Sequence, residues 1–194
     1  WKMLGISGLA RSGKDTLALA IKDFIAKDLN KEVRLYSFAE RLRNDCDAFL
    51  IKNLGISAFS QETLEKTCIR PFLVGYGDSM KLKFGKDIWC KKLEGQIVED
   101  ISSDNIFPVI TDVRFDYEVD WVRNKFGGAI IHITKNGNSP PNEAERINDP
   151  IVQSMADIRH FWPHFEKNVV ENAKDHAIIM WQMVMEAYKE KWTT

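Results

Sequence analysis

An α/β fold is what this sequence predicts: a mostly parallel sheet of five strands, covered on both faces by helices. Two observations lead there. Short apolar runs alternate with longer segments of helical period. The first of these runs is followed at once by a glycine-rich loop that opens the first helix, the order of elements in a βαβ unit.

Taken in order, residues 2–7 (KMLGIS) form a buried strand. A helix follows over residues 13–29, with Leu17, Ala20, Ile21, Phe24 and Ile25 as its apolar stripe. Residues 32–38 (EVRLYSF) are the second strand and residues 39–54 the next helix. Residues 61–80 have helical period, but Pro71 and two glycines are expected to bend or break that helix. Residues 87–100 are a clearer helix. Residues 107–113 (FPVITDV) and 127–134 (GGAIIHIT) are the third and fourth strands, with a helix at 116–125 between them. The stretch KNGNSPPNEAERIND, residues 135–149, is rich in Asn, Pro and Gly and reads as a mobile loop or lid, although EAERIND can also open a solvated helix. Residues 167–172 (KNVVEN) are the expected fifth strand, and a helix runs over 174–191. Its apolar surface, from Ile178 to Tyr188, suits either core packing or a dimer contact.

At 194 residues, 44% of them hydrophobic, the chain is long enough to bury a full core in one domain. Its net charge of −1 gives no general attraction to nucleic acid or to an anionic membrane, so a phosphate ligand must be held by local arginines and lysines. No basic stripe marks a nucleic-acid surface. No apolar run approaches the roughly 18 residues that span a bilayer, and no signal peptide is evident. Cys46, Cys68 and Cys90 show no paired spacing, which fits a reducing cytoplasm better than a disulfide framework. His160 and His164 have the spacing of a helical metal pair, but Pro163 interrupts the turn; two ordinary histidines are expected there.

The chemistry begins at GLARSGKDT. Gly8 and Gly13 let the backbone curl so that its N–H groups point inward at phosphate oxygens. The helix N-terminus adds partial positive charge, and Lys14 can reach the outer phosphates. Asp15 stands where Ser or Thr normally holds magnesium. A carboxylate is a hard oxygen ligand, able to bind the ion directly or to hold one of its waters, and Thr16 supplies a hydroxyl one position later. At the tip of the third strand, Asp112 and Arg114 are placed to face the same crevice. They suit a polar, phosphate-bearing substrate, or else simply pair with each other.

SGLARSGKDT, YSFAERLR, RPFLVGYG with DIWCKKL, and ITDVRFDYEVDWVRNKFGGAIIHI together resemble the deoxynucleoside monophosphate kinases of tailed bacteriophages. They occur in that family's order and span the chain from the first strand to the fourth. The Asp after the loop lysine is normal in that family. The resemblance implies a P-loop kinase sandwich, ATP as donor, Mg2+, a deoxynucleoside monophosphate as acceptor, and a homodimer. It implies the cytoplasm, that of an infected bacterium if the gene is viral.

Carried over by residue, Gly8, Arg11, Ser12, Gly13, Lys14, Asp15 and Thr16 form the ATP site, with Asp15 and Thr16 at the metal. A helical insertion, approximately residues 39–100, covers the acceptor and contains Arg43, Arg70, Tyr76 and Trp89. Arg70 is the first choice for the acceptor's phosphate, as a buried bidentate guanidinium. Trp89 either stacks on a base or belongs to the core. Asp112 and Arg114 contact the acceptor. In the lid, residues 135–149, Lys135 and Arg146 are the basic candidates, and Arg146 suits a transferring phosphoryl group better. Lys14, Arg70, Arg114 and Arg146 are thus the expected catalytic set. The competing expectations are a kinase of another phosphorylated small molecule, of the phosphomevalonate type, and a non-catalytic ATP-binding module.

Overall fold

The structure is a computed structural model that describes residues 2–163 and 169–192. Among the described residues, the elements in chain order are β1 (Leu4–Ser7), α1 (Lys14–Leu29), β2 (Glu32–Tyr36), α2 (Phe38–Leu54), α3 (Thr63–Phe84) and α4 (Ile88–Asp104). They continue with β3 (Ile106–Val113), α5 (Asp116–Phe126), β4 (Ala129–Thr134), α6 (Glu143–Met155), β5 (Ile158–Phe161) and α7 (Val169–Trp192). The five strands form one sheet in the order β2-β3-β1-β4-β5, and every pairing is parallel. The strand order turns at β1, which lies between β3 and β4. In a parallel sheet such a turning point opens a crevice at the carboxyl ends of the strands.

The chain divides into two compact units, Trp1–Tyr36 with Ile97–Thr194, and Ser37–Gln96. In the first, side chains alternate across the sheet as a pleated strand requires. Leu4, Ile6, Phe107, Val109, Ile131 and Ile133 pack with Leu17, Ile21 and Ile25 of α1 and with Ala177, Met180, Trp181 and Val184 of α7. These α7 residues are accounted for by core packing; Ile179 and Met183 of the same helix are exposed. On the other face a side chain on Gly5 would run into Ile130 of β4 and crowd the end of β3 at Val113. Near the site the register is uneven: Gly5 pairs with Ile110 but Ser7 with Val113. β3 therefore carries one extra residue in the span that includes Thr111 and Asp112, the kind of bulge that re-aims side chains beside a site.

The second unit has its own small core. Cys46, Leu50, Ala58 and Ile69 are buried there, with Leu42, Ile56, Leu73 and Tyr76 packed around them. Ser37 caps α2 by accepting from the Glu40 N–H at 3.2 Å.

Three expectations need correction. The fifth strand is Ile158–Phe161, where Arg159 and His160 hide the apolar signal of an edge strand; Val169–Asn172 lie in α7, while residues 167 and 168 are outside the described residues. Pro71 does not break α3, which runs unbroken through it because Ile69 and Leu73, on either side, are anchored in the small core. Residues 143–149 are helix rather than loop, started by the Asn142 cap. His160 pairs with His176, Nε2 to Nδ1 at 3.0 Å, and His164 is outside the described residues. No helix among the described residues is long and apolar enough to cross a membrane.

Candidate active site

The loop between β1 and α1 owes its shape to backbone positions that suit glycine. Gly8 (φ 136°) and Gly13 (φ 102°) lie in the region that penalises side chains, and Arg11 adopts φ 64° between them. A Cβ on Gly8 would strike the Ile133 carbonyl, and one on Gly13 would strike the indole of the buried Trp162. The loop therefore lies flat on β4 and on the segment after β5. Within it the Ser12 N–H donates to the Leu9 carbonyl at 3.2 Å. The Ser12 hydroxyl is buried and has no partner among the described residues, so a polar ligand atom can be received there.

Lys14 is only 9% exposed. Its ammonium donates to the carbonyls of Gly8 (2.9 Å) and Leu9 (2.8 Å), curling back over the loop. Burial lowers its pKa, and the Arg114 charge acts in the same direction; Glu145, Asp15 and Asp112 oppose the shift. Asp15 is exposed and Thr16 half-buried in the first turn of α1. Arg11 is exposed.

From the end of β3, Asp112 is buried (8% exposed), and Arg114 donates through Nη1 to Glu145 Oε1 at 3.1 Å. The other Glu145 oxygen accepts from the Ala10 N–H at 2.8 Å. The strand-tip arginine and the glycine loop are thus joined through one carboxylate. The turn after β3 is fixed by buried Glu118, which accepts from the backbone N–H groups of Arg114 (2.7 Å) and Phe115 (3.1 Å).

Beneath the loop, Ser7 and His132 face each other on β1 and β4, hydroxyl to Nδ1 at 3.0 Å. Burial first, then the charges of Lys14 and Arg159, push the His132 pKa down to about 4, so its ring is neutral. Arg146 points elsewhere: it is exposed and pairs with Glu143, Nε to Oε2 at 2.7 Å.

In the helical unit, Arg43 and Arg70 are exposed. Arg70 therefore differs from the buried guanidinium expected of it, because the residues α3 buries are Ile69 and Gly77. Trp89 is 5% exposed, tilted against Tyr76 at 6.1 Å between ring centroids, with the Lys92 ammonium 5.7 Å from its own ring centre. Asp45 gathers Lys92, Arg41 (3.4 Å) and the Tyr76 hydroxyl (3.5 Å) around it.

Glu145, Ser7, His132, Trp162 and Asn138, whose amide donates to the Ala10 carbonyl at 3.2 Å, are the site-lining residues that sequence reasoning missed. Glu145 carried a faint signal, a glutamate three residues after an Asn helix cap. The others sit on strands or after them, where nothing local marks a polar side chain as part of a site.

A family model described as deoxynucleotide monophosphate kinase matches residues 27–149. The chain belongs to the deoxynucleotide monophosphate kinase family. It is accordingly an ATP-dependent phosphotransferase that acts on a deoxynucleotide monophosphate. The match takes in the helical unit and the β3 tip with Asp112 and Arg114; the glycine loop lies upstream of it. Among solved structures, the chain is similar to dephospho-CoA kinase from Campylobacter jejuni, at 14% identity and a TM-score of 0.51, over 96% of this chain and 99% of that one. At that identity the likeness shows the fold, that of P-loop kinases. Shikimate kinases from Aquifex aeolicus vf5 (15% identity, 94% and 96% covered) and Bacteroides thetaiotaomicron (11%, 93% and 98%) match with a TM-score of 0.42. Among curated proteins none matches.

Proposed function

We propose that this family member transfers the γ-phosphoryl group of ATP to a deoxynucleoside monophosphate, with the β1–α1 loop holding the donor and Arg114 serving the transfer. The observation that carries the reading is the Glu145 bridge, which fixes the Arg114 guanidinium beside the glycine loop. Loop N–H groups, the start of α1 and a buried lysine make a site for polyphosphate. The fit is supported by the two glycine positions, which admit no side chain, and by the orphaned Ser12 hydroxyl.

Magnesium fits as well: Asp15 and Thr16 are hard oxygen donors at the start of α1. Among the described residues no cluster of three or more His, Cys, Asp or Glu side chains could cage an ion. That suits a cation carried mostly by the nucleotide's own phosphates and by water, and the bound ion supplies neutralisation of phosphate charge.

In the reaction, an oxygen of the acceptor's phosphate attacks the γ-phosphorus in line. The bond from that phosphorus to the bridging oxygen breaks, and ADP leaves with the electron pair. A phosphate monoester with a second pKa of about 6 is already largely dianionic at neutral pH, so no strong general base is needed. Asp112 is an orienting group. Lys14 leaves the Gly8 and Leu9 carbonyls to meet phosphoryl oxygens, and Arg114, at the acceptor's phosphate, stabilises the charge as the group transfers. Arg43 and Arg70, exposed on the helical unit, are assigned to the acceptor's phosphate, with Tyr76 at the acceptor's nucleoside; Trp89, buried against Tyr76, is assigned to the core. Arg146 is assigned to the lid. Cysteines without paired spacing suit a cytoplasmic setting, and the bacteriophage resemblance supports assigning it to an infected bacterium; a homodimer belongs to the same reading.

A coupled ADP-release assay with ATP and magnesium tests this over a panel of deoxynucleoside monophosphates, ribonucleoside monophosphates and phosphomevalonate. ADP release is expected with at least one deoxynucleoside monophosphate. Turnover with phosphomevalonate alone would contradict the assignment.

A further inference from the structure

Glu145 serves the reading above only as the bridge that places Arg114 beside the loop, yet it is one of the few buried acids among the described residues, 8% exposed. It enters from the first turn of α6, where the Asn142 side chain accepts from its N–H at 2.9 Å. A glutamate three residues after such a cap commonly turns back to the cap's own N–H. Here it reaches another segment instead, with one oxygen on the Ala10 N–H and the other on Arg114. Asn138 ties the same loop residue from its other side, donating through Nδ2 to the Ala10 carbonyl at 3.2 Å. One turn along α6, Asp149 stands 3.8 Å from His132 Nε2. Two acids four residues apart therefore share the face of α6 that meets the loop and β4.

A loop N–H and a guanidinium are the donors that a phosphoryl oxygen recruits. The Glu145 carboxylate already makes an anion's contacts with both. The Ala10 N–H is a single donor, so a phosphoryl oxygen competes with Glu145 for it, and a carboxylate left beside Arg114 repels an anion arriving there. We propose that Glu145 is an internal counter-anion of the phosphate loop: the entering triphosphate displaces its carboxylate from Ala10, and that displacement frees Arg114 for the acceptor's phosphate. This rests on the kinase reading above and adds coupling to it, so that donor binding raises affinity for the acceptor.

Two equilibrium-binding arms test it, with inorganic tripolyphosphate as the donor probe and, as the acceptor, the deoxynucleoside monophosphate selected by the panel. In the unaltered protein, saturating tripolyphosphate should tighten monophosphate binding about fivefold, the lower end of ordinary coupling between sites. Glu145→Gln keeps the shape and removes the charge. It should bind tripolyphosphate about fivefold more tightly, with monophosphate affinity no longer dependent on tripolyphosphate. Tripolyphosphate binding to Glu145→Gln that is unchanged or weaker would mean that Glu145 braces the loop, and would overturn the proposal. Monophosphate affinity in the unaltered protein that ignores tripolyphosphate, or falls with it, would overturn it too, and this arm does not depend on the variant folding. A protein that binds neither probe and turns over no acceptor would instead remove the kinase reading itself.

Discussion

The cations assigned to substrate are held in opposite ways around the glycine loop and on the helical unit. Lys14 is buried and bonded to two loop carbonyls, and Arg114 is held by Glu145. Arg43 and Arg70 lie exposed on α2 and α3, and neither makes an ion pair among the described residues. The difference teaches where each group's geometry comes from. Around the loop, protein acceptors hold the cations in place until phosphoryl oxygens take over those contacts. On the helical unit the arginines are placed by helix position alone, and a ligand must order them.

Breaking the preorganised region should have the largest effect. Lys14→Ala is expected to lower kcat about a thousandfold, the scale of removing one donor to a developing charge, with the circular dichroism spectrum retained. Near-normal turnover would end the phosphate-loop assignment. A smaller effect is expected from the open region. Arg70→Ala should raise the KM for the monophosphate about tenfold and leave the KM for ATP within about twofold. Thermal stability should change by less than about 0.5 kcal/mol, because Arg70 is exposed. If both KM values stayed put, Arg70 would have no substrate role.

The contrast between the regions also explains what was legible in the sequence. The glycine loop was legible because its chemistry is local: Gly8, Gly13 and Lys14 act through neighbouring backbone, and spacing alone specifies them. Asp112 and Arg114 were legible as the polar end of an apolar strand. Four of the five strands showed as apolar runs, while β5 did not, since it has only Ile158 and Phe161 as apolar letters on an edge. Glu145 was out of reach for a different reason. Its partners Ala10 and Arg114 lie 135 and 31 residues away, so its role is set by tertiary packing of α6. Pro71 misled for the same reason in reverse, local propensity being outweighed by the burial of Ile69.

The smallest effect sharpens the comparison through pH. His132 is buried with a pKa of about 4, against 6.5 for an ordinary histidine. Between those values the unfolded chain binds the extra proton and the folded chain does not, so stability rises with pH through that window. The contribution is complete above about 6.5 and is lost as pH falls toward about 4. The Tm should therefore drop on acidification across this range, and His132→Asn should show a shallower drop than the unaltered protein. Equal slopes would mean that the ring is not held neutral.

The most direct test follows the phosphorus atom. ATP labelled at the γ-position is incubated with magnesium, the protein and each deoxynucleoside monophosphate in turn, and the labelled product is identified. The expected result is label in the β-position of a deoxynucleoside diphosphate, formed in step with ADP. Label released only as inorganic phosphate, or delivered to no deoxynucleotide in the series, would contradict the account.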